Sequence, residues 1–214
     1  EKNIENSNSP AKKGITYLSV EERGIGKMLR ATLENGLEVV IQEMKNTDVV
    51  AVRAYVQVGS LYEGEYLGHG ISHYCEHIVS GGSTKNRTES EIEKIVRKIG
   101  GNSNAYTSFD QTCYHITTIS EYAETAVELI GDWLANCIID ENEFTREKGV
   151  IIKEVNKGYT EPGSVFSKFF YAQMFPNHPM SIPVIGYPEL VKAVTRKDML
   201  KFYRKHYCPN NTVL

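Results

Sequence analysis

His73 and His77 stand four residues apart in the stretch His73-Tyr74-Cys75-Glu76-His77. On an α-helix that spacing is about one turn, so both imidazoles leave the same face and can grip one metal ion. Glu76, three residues after His73, shares that face. The pattern commits the chain to a helix at 73–77. It also calls for a fold that delivers a third ligand from elsewhere, because such a site takes three protein ligands and keeps one position open.

The rest of the composition is ordinary. The chain has 214 residues, 41% hydrophobic and 24% charged, which suits one substantial domain better than two. A net charge of −3 gives no reason to expect nucleic acid or an anionic membrane as a partner. No apolar run approaches the ~18–20 residues that span a bilayer, so a soluble protein is expected, in a compartment the sequence leaves open. The four cysteines, Cys75, Cys113, Cys137 and Cys208, form no Cys-x-x-Cys pair and read as free thiols. Residues 1–27 read as a polar leader and 28–214 as the domain. The final Asn210–Leu214 reads as the start of another strand, as in one domain of a larger protein.

Hydrophobic periodicity predicts an α+β fold, with a mainly antiparallel sheet packed against helices. Met28–Leu33 and Leu37–Met44 flank Asn35-Gly36, a hairpin signal. Val49–Ser60 alternates as a third strand. The motif helix is expected to stop near Gly81-Gly82. Thr88 and Glu91 form a capping box for a helix whose apolar face is Ile92, Ile95, Val96 and Ile99. Ser103–Ser108 and Thr112–Ile119 read as two further strands. Ser120 is expected to cap a helix burying Ala126, Leu129, Ile130 and Trp133, and Asp140 with Glu143 to open a longer one. Pro162 is placed in a first helical turn. Helical spacing puts Phe166, Phe169, Phe170 and Phe175 in the core, and Thr195 with Asp198 starts the last helix. His69, His115, His178 and His206 have no partner at ligand spacing and read as ordinary surface or core residues.

Carboxylates are the first candidates for the third ligand. Glu147 and Glu154 are seven apart, two turns along one helix face. The apolar run Val150-Ile151-Ile152 between them is expected to be buried, and a carboxylate beside it would need a partner or a metal. His73, His77 and Glu154 then form the ligand set. Glu76 is the base that takes a proton from water and returns it to the leaving amine. Glu147 orients a ligand or the base from behind. The order His-x-x-Glu-His inverts the zinc peptidase order His-Glu-x-x-His.

Taken together, these residues resemble the active-site domain of the M16 peptidase family. That family carries His-x-x-Glu-His, a ligand Glu some seventy-odd residues later and another Glu seven before it. Here Glu154 lies 77 after His77. The flanks resemble the family as well, in Gly70-Ile71-Ser72, Gly101 with Asn104-Ala105-Tyr106-Thr107-Ser108, His178-Pro179, Pro183-Val184-Ile185-Gly186 and Tyr207-x-Pro209-x-Asn211. The resemblance implies a LuxS/MPP-like metallohydrolase fold, one Zn²⁺ per site and hydrolysis of peptide substrates. It implies that Asn104, Ala105, Tyr106 and Thr107 bind an extended substrate by strand addition. It also implies a second M16-like domain or subunit that closes the site and supplies Arg and Tyr residues, so that residues 1–214 alone would bind zinc yet cleave little. Cys75 and Tyr74 depart from the common Leu and Phe, at positions that are not ligands. Two other readings stand beside it. One is a non-catalytic partner subunit. The other is a LuxS-type lyase with Cys113 or Cys137 as third ligand.

Overall fold

The computed structural model describes residues 15–23 and 26–214. Of the expected polar leader, residues 1–14 lie outside the described residues, while Ile15–Arg23 forms strand β1 instead of leader. β2 (Gly26–Leu33) and β3 (Glu38–Gln42) make the expected hairpin. Its turn uses Gly36 at φ 87°, and the Asn35 side chain accepts the Leu37 N–H at 3.1 Å. β4 (Val49–Val56) ends earlier than the alternation suggested, because Ser60–Tyr62 turns into a short 3₁₀ segment. Then come helix α1 (Ile71–Gly81), α2 (Glu89–Lys98), β5 (Asn102–Thr107) and β6 (Thr112–Ile119). The second half is helical: α3 (Ala123–Asn136), α4 (Glu141–Lys157), α5 (Pro162–Met174), α6 (Pro188–Ala193) and α7 (Arg196–His206), closed by β7 (Thr212–Val213). The six-residue α6 was not anticipated from the sequence.

The described strands form one sheet in the order β1-β2-β3-β7-β4-β6-β5, antiparallel except where β7 runs parallel to β3. This is the α+β architecture expected. The core lies between the sheet and the helices. Val52, Ala54, Val56, Tyr114 and Ile116 meet Ile71, Tyr74, Ile78, Leu129, Ile130 and Trp133 there. Each Val, Leu or Ile side chain among them contributes about 1.5–3 kcal/mol by leaving water. Three of the four anticipated apolar positions of α2, Ile92, Val96 and Ile99, are buried, and Ile95 packs partly against the core.

Three expectations fail for physical reasons. Ser120 begins a 3₁₀ turn, so α3 starts at Ala123 with no side-chain cap. Asp140 caps α4 by accepting the Asn142 and Glu143 N–H groups, but the Glu143 carboxylate reaches away to the Ser83 N–H and hydroxyl, so no capping box closes. On α5, Phe166, Phe169 and Phe170 are exposed, at 67%, 62% and 43%. Their spacing does define one helix face, but that face points outward, and spacing alone does not tell which side meets the core.

Candidate metal centre

α1 is placed by its two unlike faces. Ile71, Tyr74, Cys75, Ile78 and Val79 are buried in the core, which leaves His73, Glu76, His77 and Ser80 on the other side. Its amino end is fixed by Gly70 at φ 59°, where a Cβ would lie 2.3 Å from the Ile185 carbonyl oxygen. Glycine is required there twice over, by conformation and by the close approach of the Pro183–Gly186 segment. Tyr74 joins α1 to α4: its hydroxyl donates to the Phe144 carbonyl at 2.5 Å and its ring stacks on Phe144 at 4.8 Å. Cys75 is fully buried, away from the metal face.

The α1–α4 contact brings Glu154 to the histidines. Its Oε2 lies 3.8 Å from His73 Nε2 and 3.6 Å from His77 Nε2, and one ligand atom from each of the three residues falls within 4.8 Å of the other two. Two imidazoles and a carboxylate at that spacing fit a single Zn²⁺-like ion. Glu154 is not the buried carboxylate expected beside a buried apolar run. Of Val150–Ile152 only Ile151 is fully buried, and the Glu154 side chain is 47% exposed. What marks Glu154 is its position between the two rings. Burial first, and the neighbouring His77 second, push the His73 imidazole down to about 3. It stays neutral at ordinary pH, the form a metal binds.

Glu147, one turn pair earlier on α4, has its Oε2 3.3 Å from His77 Nδ1 and its Oε1 accepting from Arg146 Nε at 3.0 Å. It can therefore hold the His77 ring with Nε2 toward the ligand cluster. Arg146 in turn clamps Glu89 through both guanidinium NH groups at 2.9 Å. Neither Arg146 nor Glu89 stood out in the sequence, because their pairing joins residues 57 apart. Glu76 is buried beside the cluster. Its carboxyl is raised above its ordinary value mainly by burial, while the Thr107 hydroxyl and His77 pull it back down. Thr107 donates to Glu76 Oε2 at 2.6 Å. A residue expected to contact substrate thus also holds the expected base.

Asn104, Ala105, Tyr106 and Thr107 lie on β5, at one end of the strand order, with β6 on one side and no strand among the described residues on the other. The Asn104 side chain accepts the Ala105 N–H at 2.8 Å. Glu76, His77, Asn104, Ala105 and Glu147 line one cavity of about 290 Å³. Cys113 and Cys137 stand outside the His73–His77–Glu154 cluster; Cys113 pairs in register with Tyr55 and Tyr106 on its neighbouring strands. That geometry removes the cysteine-ligand reading.

Known proteins give the same picture. A family model, Insulinase (Peptidase family M16), matches residues 38–187, well over half of the chain. An uncharacterized zinc protease of Rickettsia felis is 33% identical over 182 residues, which is 85% of this chain and 44% of that protein. The mitochondrial-processing peptidase subunit beta of Rattus norvegicus is 33% identical over 82% of this chain and 35% of its own length. The crystal structure of a protease from Helicobacter pylori superposes with a TM-score of 0.82 at 34% identity, covering 88% of this chain and 45% of that one. The chain thus spans less than half the length of these relatives.

Proposed function

Because the chain belongs to peptidase family M16, we propose that it carries the catalytic metal centre of a zinc-dependent endopeptidase acting on peptides or extended segments. The observation that carries this reading is the convergence of His73, His77 and Glu154 within 4.8 Å beside the buried carboxyl of Glu76. In this reading the three residues hold Zn²⁺. Bound there, zinc supplies Lewis acidity, lowering the pKa of water toward ~7 and polarising a carbonyl.

The chain's own groups do the rest. Glu76 accepts a proton from the attacking water and returns it to the departing amine, and its raised pKa suits both transfers. Thr107 fixes the carboxyl that receives the proton. Glu147 holds the His77 ring by its Nδ1. The open edge of β5 pairs with an extended substrate, whose backbone displaces the Asn104 side chain from the Ala105 N–H. A second M16-like domain or subunit completes the site. Support comes from relatives of which the match covers less than half, one of them named as a subunit. Residues 1–214 alone are expected to bind zinc and to cleave peptides weakly or not at all.

Metal analysis of the chain and its Glu154→Gln variant tests the ligand set. About one zinc per chain is expected for the parent, with a loss of ten- to a hundredfold or more in affinity for the variant. Equal zinc content in both would remove Glu154 from the site. Vigorous chelator-sensitive proteolysis by residues 1–214 would remove the need for a partner.

A further inference from the structure

The Glu147 carboxylate divides its two oxygens between two partners. Oε2 faces His77 Nδ1 at 3.3 Å, and Oε1 accepts from Arg146 Nε at 3.0 Å. The second contact does not follow from sequence adjacency, because neighbouring positions on a helix point about 100° apart and do not face each other. Arg146 is turned toward Glu147 by what holds its other end. Its two terminal NH groups donate to the two oxygens of Glu89, each at 2.9 Å. Glu89 opens α2, and its N–H donates to Ser83 Oγ at 3.1 Å. Ser83 in turn gives its N–H and its hydroxyl to Glu143, one turn before Glu147 on α4, at 2.8 Å and 2.5 Å. The guanidinium therefore lies between two carboxylates whose helices are already tied together.

We propose that Arg146 is a positioning residue for the metal centre, acting through Glu147, a step that rests on the zinc reading above. A glutamate side chain turns about three bonds, and holding it in one rotamer costs conformational entropy. The Arg146 bond, backed by the fork to Glu89, fixes that rotamer before any metal arrives. Oε2 is then already turned to His77 Nδ1, and the ring presents Nε2 to the ligand cluster. A lone exposed ion pair contributes little, but this one couples a two-bond fork to a carboxylate only 16% exposed.

The test measures zinc affinity of the full-length protein by competition with a chelator. It also records the visible absorption of the Co²⁺-loaded protein, which reports ligand geometry. Arg146→Met is expected to weaken zinc binding about fivefold and to shift the Co²⁺ bands, a smaller loss than the roughly ten- to hundredfold typical of a residue that touches a ligand. Glu89→Ala, in the first turn of α2, frees the guanidinium and is expected to weaken binding about threefold. The deciding comparison is made in Glu147→Ala protein. There Arg146→Met is expected to add a loss of less than about twofold and to leave the bands of Glu147→Ala unchanged, because the residue it acts through is gone. If Arg146→Met does not fold, Glu89→Ala carries the same comparison. An equal loss in both backgrounds would mean that Arg146 serves only to tie α2 to α4, and overturns the assignment. So does a parent that binds zinc while Arg146→Met binds it equally well with unchanged bands. A parent that binds no zinc overturns the metal reading, and this step with it.

Discussion

Glu63 holds α1, the helix of His73 and His77, by its amino end, although nothing in its sequence surroundings marks it. The α1 N-cap is Gly70, which has no side chain to offer, and Glu63 Oε1 accepts the Ser72 N–H at 3.0 Å instead. The other carboxyl oxygen is buried without a partner. Burial raises the Glu63 carboxyl from 4.5 to about 7, against the opposing pull of the Ser72, Gly68 and Gly70 backbone groups. Between pH 4.5 and 7 the folded protein therefore keeps a proton that the unfolded chain has released. Stability from this group is greatest below the unfolded value and falls as pH rises through the folded one, by about 3 kcal/mol in all. Glu63→Gln keeps an acceptor for Ser72 and removes the charge. Urea unfolding should find the variant equal to the parent near pH 4.5 and more stable by about 2–3 kcal/mol at pH 8. A variant that is less stable at pH 8 would mean that the anion at the helix terminus outweighs its burial. Legibility at this scale followed locality. His73, Glu76 and His77 were readable because four-residue spacing is a helix property. The Glu63–Ser72, Arg146–Glu89 and Thr107–Glu76 contacts join separate elements, and one sequence carries no record of them.

Elements show the same division. The Thr88/Glu91 and Thr195/Asp198 capping boxes close as expected, since both partners lie within one turn. Asp140 kept its cap but lost its box to a more distant competitor, Ser83. The contact that ties the α1–α2 connection to α3 is less visible in sequence. Asp132, 3% exposed, accepts from Thr84 at 2.7 Å, Asn86 at 2.6 Å, Arg87 at 2.8 Å and Asn136 at 2.8 Å. These bonds hold its carboxyl below its ordinary value, although burial alone would raise it. Asp132→Ala strands a guanidinium, a hydroxyl and two amides, and breaking a buried charge pair from one side costs about 3–5 kcal/mol. Chemical denaturation should show a loss near the lower figure, because Arg87 retains Glu128. A loss below about 1 kcal/mol would show that water replaces the carboxylate.

At the scale of the whole molecule, hydrophobic alternation and helix punctuation were enough to give an antiparallel sheet with helices against it. They did not give strand order. Nothing in Thr212-Val213 says that these two residues enter the sheet between β3 and β4, far from both in sequence. The insertion sets a schedule. Backbone bonds from Leu214 N–H to Glu38 O at 2.8 Å, from Val40 N–H to Leu214 O at 2.7 Å and from Gln57 N–H to Asn211 O at 2.9 Å join the β1–β3 hairpins to the strands beside the metal centre. On a ribosome the hairpins form early and wait, since the strand that attaches them is made some 170 residues after β3, and loop closure over such a distance is slow. α1, α4 and β4–β6–β5 need no such delay. Leu214→Pro, which deletes the N–H given to Glu38, should speed hydrogen exchange at Val40 while the β4–β6 amides keep their protection. Equal acceleration in both would show a sheet that assembles as one cooperative unit. Otherwise β7 acts as a latch, and the β1–β3 hairpins join a His73–His77–Glu154 cluster that is already built.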